Sequence, residues 1–253
     1  MLERSHQSHD AIDTSYIDDV CMVQMSTTIT RANTLLEERT EEHLSRGVHL
    51  GLTFAPPKTE LLYCLPLTSK DKNRSLSTHP PLRINNSTIA ASRQIKLGVH
   101  IDESLSFLHH ATMAAAKGNR ALGGLNFLRH HTRGIPAHVA HHLAMMAILP
   151  TMFWASPAWW TGTPMITATL HTTNNSVARW ITGLPLNTRT MNLITLSQLP
   201  PMEGYLDYLS LRYTIRLHFH PQHHALGPPQ ALSETHPNLP GLHRLYALSK
   251  HLV

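Results

Sequence analysis

The stretch SYIDDV, residues 15–20, sets two adjacent carboxylates, Asp18 and Asp19, between two short runs that both read as strand. Aspartate tolerates turn geometry and is well solvated, so the pair marks a strand-to-strand turn and makes the start of the chain a β-containing region. From the residues alone, the pair is either a solvated turn or a set of metal ligands. Magnesium prefers hard oxygen ligands. A carboxylate at a hairpin tip, joined by another from a neighbouring strand, can hold two ions across a transferring phosphoryl group.

Outward from that turn, TRANTLLEERTEEHLSRG (30–47) reads as a helix with Thr30 as N-cap and Gly47 as its stop. VHLGLTF (48–54) and TELLYCL (59–65) read as strands around APPK, and SKDKNRSLSTHPP (69–81) as a polar loop. PLRINNSTIA forms a hairpin turning at Asn85 and Asn86, and RQIKLGVHI continues as strand. From Ser106 the apolar period becomes helical, in FLHHATMAAAKGNRALGGLNFLRHH, PAHVAHHLAMMAIL, MITATLHTTNNSVARWITG and MEGYLDYLSLRYTIRLHF. The expected class is α+β: residues 1–103 mixed, residues 104–217 all-helical, and residues 218–253 a Pro/His-rich tail of low order.

With 253 residues, 42% of them hydrophobic, the chain has enough apolar content for a core. Its formal charge of +5 is unevenly spread. Residues 1–60 hold ten acids against five Lys/Arg, whereas residues 104–202 hold Lys117, Arg120, Arg129, Arg133, Arg179 and Arg189 and no acid. Such a segment is either a basic surface for a polyanion or a mostly apolar region carrying a few cations. Cys21 and Cys64 fit no zinc spacing, and no signal-peptide pattern opens the chain. An intracellular, reducing location, nuclear or cytoplasmic, is expected. LAMMAILPTMFWASPAWW (143–160) has no charged side chain and nearly the length of a membrane span. Pro150 and Pro157 interrupt it, so the expectation is a buried helix pair broken at the prolines, with no membrane partner.

The order of SYIDDV, an acidic helix, GLTFAPPKTELLYCLP, a hairpin, IKLGVHIDESLSF, LGGLNFLRHH and ILPTMFWASPAWWTG resembles reverse transcriptases of non-LTR, LINE-like retrotransposons, particularly fungal ones. The resemblance covers roughly residues 15–217. It implies the C-terminal part of a polymerase palm followed by a helical thumb-like region, and an RNA-directed DNA polymerase function with an RNA template and a DNA primer as partners. Asp18 and Asp19 would be catalytic and ligate Mg2+, and Lys58 would sit near the phosphates of the incoming nucleotide. Lys117, Arg120, Arg129 and Arg133 would face nucleic acid, and IKLGVHID would be the strand hairpin linking palm to thumb. The family's Tyr-Gly pair is here Trp154 and Ala155. The family's first catalytic aspartate lies far upstream of the aspartate pair, and Asp10 and Asp13 have no room to replace it. The expectation is therefore a truncated or degenerate fragment, inactive alone and binding magnesium weakly or not at all. Without a central partner strand, SYIDDVCMVQM would form an exposed edge. The alternative is a non-catalytic nucleic-acid-binding protein using the basic helical half. A remnant without selected function is a third reading.

Twenty-one histidines invite a metal reading. His138, His141 and His142 share a helical face, with His130 and His131 upstream, and His218, His220, His223 and His224 cluster near the tail. Neither group includes a Cys or carboxylate, and histidine is scattered throughout, so surface composition bias is preferred over an accessory zinc clamp. Phe153, Trp154, Trp159 and Trp160 read as core in preference to base-stacking residues. If the histidine triplet is compositional, zinc leaves the melting temperature unchanged, because stabilisation requires preferential binding to the folded state. A stoichiometric, chelator-reversible rise that disappears in His138→Ala/His142→Ala would establish a site.

Overall fold

The computed structural model describes residues 11–16, 19–52, 55, 58–64, 79–84, 87–129 and 134–219. It is an α+β chain, with about 59% of the described residues in helix and a few small sheets. It divides into two compact units, residues 1–96 with 102–104, and residues 97–101 with 105–253. The polar stretch 69–78, the turn residues Asn85 and Asn86, and the tail beyond residue 219 lie outside the described residues.

In the first unit, β1 (Ala11–Tyr16) and β2 (Asp19–Gln24) pair antiparallel. Helix α1 (Ile29–His49) follows. Its N-cap is Thr28 and not Thr30: Thr28 has extended backbone, and its hydroxyl accepts from the Arg31 N–H at 3.4 Å. The stop is also displaced. Gly47 is buried inside the helix, and Leu50 is the C-cap. Gly51, at φ +73°, adopts the left-handed conformation, its N–H donating to Val48 O at 3.1 Å and that of Leu52 to Gly47 O at 2.8 Å. These two bonds make a Schellman motif, so Val48 to Leu52 end a helix and do not form the expected strand.

β3 (Leu61–Leu62) pairs parallel with β6 (Ala91–Ser92), and β4 (Leu82–Ile84) pairs antiparallel with β5 (Ser87–Ile89). Ile84 lies opposite Ser87, so the connection is two residues long, as the Asn-Asn pair predicts. Gly98, at φ +68°, breaks RQIKLGVHI into β7 (Gln94–Leu97) and β8 (Val99–Asp102), where periodicity alone suggests one strand. The core of this unit is small: Leu61, Leu82, Ile84 and Ile89, with Leu36 and Leu44 of α1 and Tyr63 against them. Asn33 of α1 adds polar fastening, its Nδ2 donating to Pro81 O at 3.1 Å and its Oδ1 lying 2.9 Å from the Tyr63 hydroxyl.

The second unit is helical after β8: α2 (Leu108–Leu125), α3 (Ala137–Leu143), α4 (Leu149–Met152), α5 (Ser156–Trp159), α6 (Pro164–Thr182), α7 (Thr190–Ser197) and α8 (Met202–Phe219). α8 carries two residues assigned above to the tail. α2 presents Ala111, Ala114, Ala115 and Gly118 inward. A β-carbon at Gly118 would lie 3.0–3.2 Å from Met152 side-chain atoms, so the glycine sets how closely α2 meets α4. Pro150 does not break the helix as expected. A π-helical segment, Ala144–Ile148, joins α3 to α4, and Leu149 N–H donates to Ala144 O five residues back. The wider turn gives the proline ring room beside a carbonyl it would otherwise strike. The break comes at Ala155, at φ +54°, and Pro157 sits in the first turn of α5. Trp159 and Trp160 are buried and bonded, the first donating to Trp154 O and the second to Asp207 Oδ1, both at 2.8 Å. No helix among the described residues is long and apolar enough to cross a membrane.

His110 on α2 is 3% exposed. Its Nδ1 accepts from the His100 N–H at 3.1 Å, and its ring meets Trp159 edge-on with centroids 5.0 Å apart. Burial first, then the neighbouring His100, Lys117 and His109, lowers its pKa from 6.5 to about 4. The unfolded chain therefore binds a proton that the folded chain refuses between these values. This contribution is complete above pH 6.5 and declines as pH falls toward 4, by roughly 3 kcal/mol in all at about 1.4 kcal/mol per pH unit. Urea unfolding across that range should lose stability on acidification. In His110→Gln, whose amide oxygen can still accept from His100, the pH dependence should be shallower by about that amount.

Candidate functional site

Register decides what the carboxylate hairpin can do. Tyr16 lies opposite Asp19, Thr14 opposite Cys21, Ile12 opposite Val23, and Asp13 opposite Met22. Opposed residues share a face and successive residues alternate, so Asp19, Cys21 and Val23 lie on one face, and Asp13 and Met22 on the other. Helix α1 contacts the Asp13 face. The Asp13 carboxylate is ion-paired with Arg39 and lies 3.1 Å from His43 Nε2. Arg39 also donates to Gln24 Oε1 at 2.7 Å and Val23 O at 3.1 Å, so one guanidinium ties both strands to the helix. On the other face, burial pushes the Cys21 thiol pKa up, against a weaker opposing hydrogen bond with Thr14, so it is not an activated thiolate.

Asp19 is exposed at the start of β2, and Asp18 lies outside the described residues. Lys58 is exposed after α1, its backbone N–H donating to Ala55 O at 2.9 Å. Among the described residues no hydrogen bond or ion pair joins Lys58 to Asp19. β2 pairs only with β1 among the described strands, so the hairpin remains an isolated ribbon with open edges. No group of three or more His, Cys, Asp or Glu among the described residues is arranged to hold a metal ion. Asp13 belongs to the opposite face and is already paired. Among the described residues of the hairpin, Asp19 is therefore the one carboxylate on its face.

The basic residues divide as well. Lys117 and Arg120 are three apart on α2, with Arg120 exposed and Lys117 half-buried, so they form one small cationic patch. Arg129 is separated from them in role. It is half-buried, with Nη1 3.5 Å from Ile135 O and Nη2 packed where any β-carbon on Gly183 would collide. Gly183, at φ +70°, caps α6, and a cation there complements the negative end of the helix. Arg133, His130 and His131 lie outside the described residues. His138 and His142 are exposed, while His141 is half-buried. The aromatic set divides too: Phe153, Trp159 and Trp160 are core, but Trp154 is 66% exposed. An acid-free count that stops at residue 202 passes over Arg212 and Arg216, both exposed on α8. Their spacing of four, with Tyr208 four residues before, was the available sequence signal.

No protein-family model, curated protein or solved structure matches the chain.

Asp13 and Asp19 should respond unequally to neutralisation. Asp13→Asn leaves the part-buried Arg39 without its ion partner and should cost about 1–3 kcal/mol. Asp19→Asn should change stability by less than about 0.5 kcal/mol, as an exposed position away from packing does. Urea denaturation of the two variants measures both, and equal effects would contradict the face assignment.

Proposed function

We propose that the chain is the C-terminal palm and helical thumb-like portion of a non-LTR reverse transcriptase, unable to extend a primer by itself. The supporting observation is the β1–β2 hairpin, whose paired residues end at Tyr16 and Asp19. Asp19 of SYIDDV therefore belongs to the last described pair of this ribbon, opposite Tyr16. The resemblance in motif order along the rest of the chain supports the same reading. In it, Asp18 and Asp19 form one wall of a phosphoryl-transfer site, and Lys58 contacts the phosphates of the incoming nucleotide. A two-ion displacement needs carboxylates on both sides, because each ion stabilises a different oxygen. The described residues supply no opposing carboxylate beside Asp19, so no catalytic step is assigned to this chain alone.

The second reading, a nucleic-acid-binding protein without catalysis, draws on the acid-free segment and on the Lys117–Arg120 patch.

Primer extension on an RNA template separates the two. The purified chain should be inactive with magnesium or manganese. Fusion of the fingers and upstream palm of a related polymerase before Ser15 should restore extension. Asp18→Asn should then abolish it, and Lys58→Ala should slow it without weakening nucleic-acid binding. Extension by the chain alone, or a fused enzyme indifferent to Asp18→Asn, would overturn the proposal.

A further inference from the structure

We infer that the outward face of α8, carrying Tyr205, Tyr208, Arg212 and Arg216, is a stacking surface for single-stranded nucleic acid. α8 buries every fourth residue, Met202, Leu206, Ser210 and Thr214. The two hydroxyls are satisfied within the helix, Ser210 donating to Leu206 O at 3.0 Å and Thr214 to Ser210 O at 2.9 Å. The same spacing places Tyr208, Arg212 and Arg216 in one stripe on the far side, all exposed, with Tyr208 54% exposed. Tyr205 extends the stripe. Its ring stacks with that of Tyr208 at a centroid separation of 6.4 Å and an interplanar angle of 27°, and packs against Phe153 at 5.9 Å. One aromatic ring is thus held against the core while the next presents its surface to solvent.

The charge around this stripe selects the partner. Glu203 and Asp207 are the only described carboxylates of the helical unit, and both are engaged. Glu203 Oε1 lies 2.7 Å from His171 Nε2, and Asp207 accepts from the Trp160 indole. Both follow the buried side of α8, so no carboxylate lies within the Tyr–Arg stripe. Two guanidinium groups beside two tyrosine rings suit a polyanion that also offers flat π-surfaces. A duplex offers the charge but keeps its base faces stacked, whereas a single strand offers both. From Tyr208 to Arg216 the helix rises about 12 Å, room for about three stacked nucleotides at 3.4 Å each. The inference rests on the packing of α8 and holds whether or not the chain derives from a polymerase.

The test is fluorescence anisotropy of the full chain with a labelled oligo-dT, an oligo-U and a duplex of equal length. Both single strands should bind more tightly than the duplex. Tyr208→Ala should weaken single-strand binding about tenfold with an unchanged salt slope, since stacking is uncharged. Tyr208→Phe should retain it. Arg212→Ala/Arg216→Ala should reduce the slope of log affinity against log salt by about 1.4, at about 0.7 per lost phosphate contact. The three substituted side chains, Tyr208, Arg212 and Arg216, are exposed, and unchanged far-UV circular dichroism of each variant verifies the fold. Equal affinity for duplex and single strand together with a neutral Tyr208→Ala would overturn the inference. So would displacement of the oligonucleotide by polyglutamate at matched charge, which would mark the stripe as a site for acidic protein. These outcomes are independent of the response of a fused polymerase to Asp18→Asn.

Discussion

Burial of the adjacent indoles Trp159 and Trp160 is the constraint on which the helical unit depends. Each ring has to find a partner for its one N–H when removed from water. Trp159 uses the Trp154 carbonyl and meets the ring of His110 in a T-shaped contact, which joins α5 to α2. Trp160 uses the Asp207 carboxylate, which joins α5 to α8. Three helices are thus oriented by two neighbouring residues, the last of α5 and its C-cap. Losing either indole would be expected to cost about 3–5 kcal/mol, because a cavity of that size does not collapse. The orientation of α8 follows from the same contact: with Asp207 directed toward Trp160, the stripe of Tyr208, Arg212 and Arg216 is left outward.

Close approach of helices makes that burial possible. α2 offers alanines and Gly118 where it meets its neighbours, so the larger side chains of the partners, Met152 among them, fill the space. The π-helical segment before Pro150 belongs to the same solution. It lets one helix run from Ala137 to Met152 across a proline and deliver Ile148, Leu149 and Met152 to the core. His110 shows the cost of this packing. As a buried acceptor of a backbone N–H it must remain neutral, so the unit's stability is tied to pH through one side chain.

In the other unit the deciding interaction is electrostatic. Arg39 reaches from α1 to Asp13, Gln24 and the Val23 carbonyl, and so fixes which face of the hairpin meets the helix. Because a strand alternates faces, that choice sends Asp19 to the opposite side and leaves it exposed. Two aspartates six residues apart thereby have unrelated roles: Asp13 holds the ribbon to α1, and Asp19 faces away from that anchor.

Local pattern determined the kinds of element: strands around SYIDDV, an acidic helix after it, a two-residue hairpin connection at Asn85 and Asn86, and helices from Leu108 on. These depend on side-chain periodicity and turn chemistry, which are properties of adjacent residues. Local pattern puts the stop of α1 at Gly47, whereas the structure puts it at Gly51. Gly47 and Gly51 are equivalent as residues, and only the bonds from Gly51 and Leu52 back to Val48 and Gly47 choose the second. The eight residues of α7 carry too short a period to stand out. The division of the cations also required tertiary structure. Lys117, Arg120 and Arg129 look alike in a charge count, but Arg129 folds back onto the capped end of α6, while Arg120 stays in solvent. Trp154 and Trp159 likewise share a composition and part at a left-handed turn at Ala155. A side chain's type can be read from the chain, but its surroundings come from residues distant in sequence. Those surroundings decide whether a charge or a ring serves the fold or faces a partner.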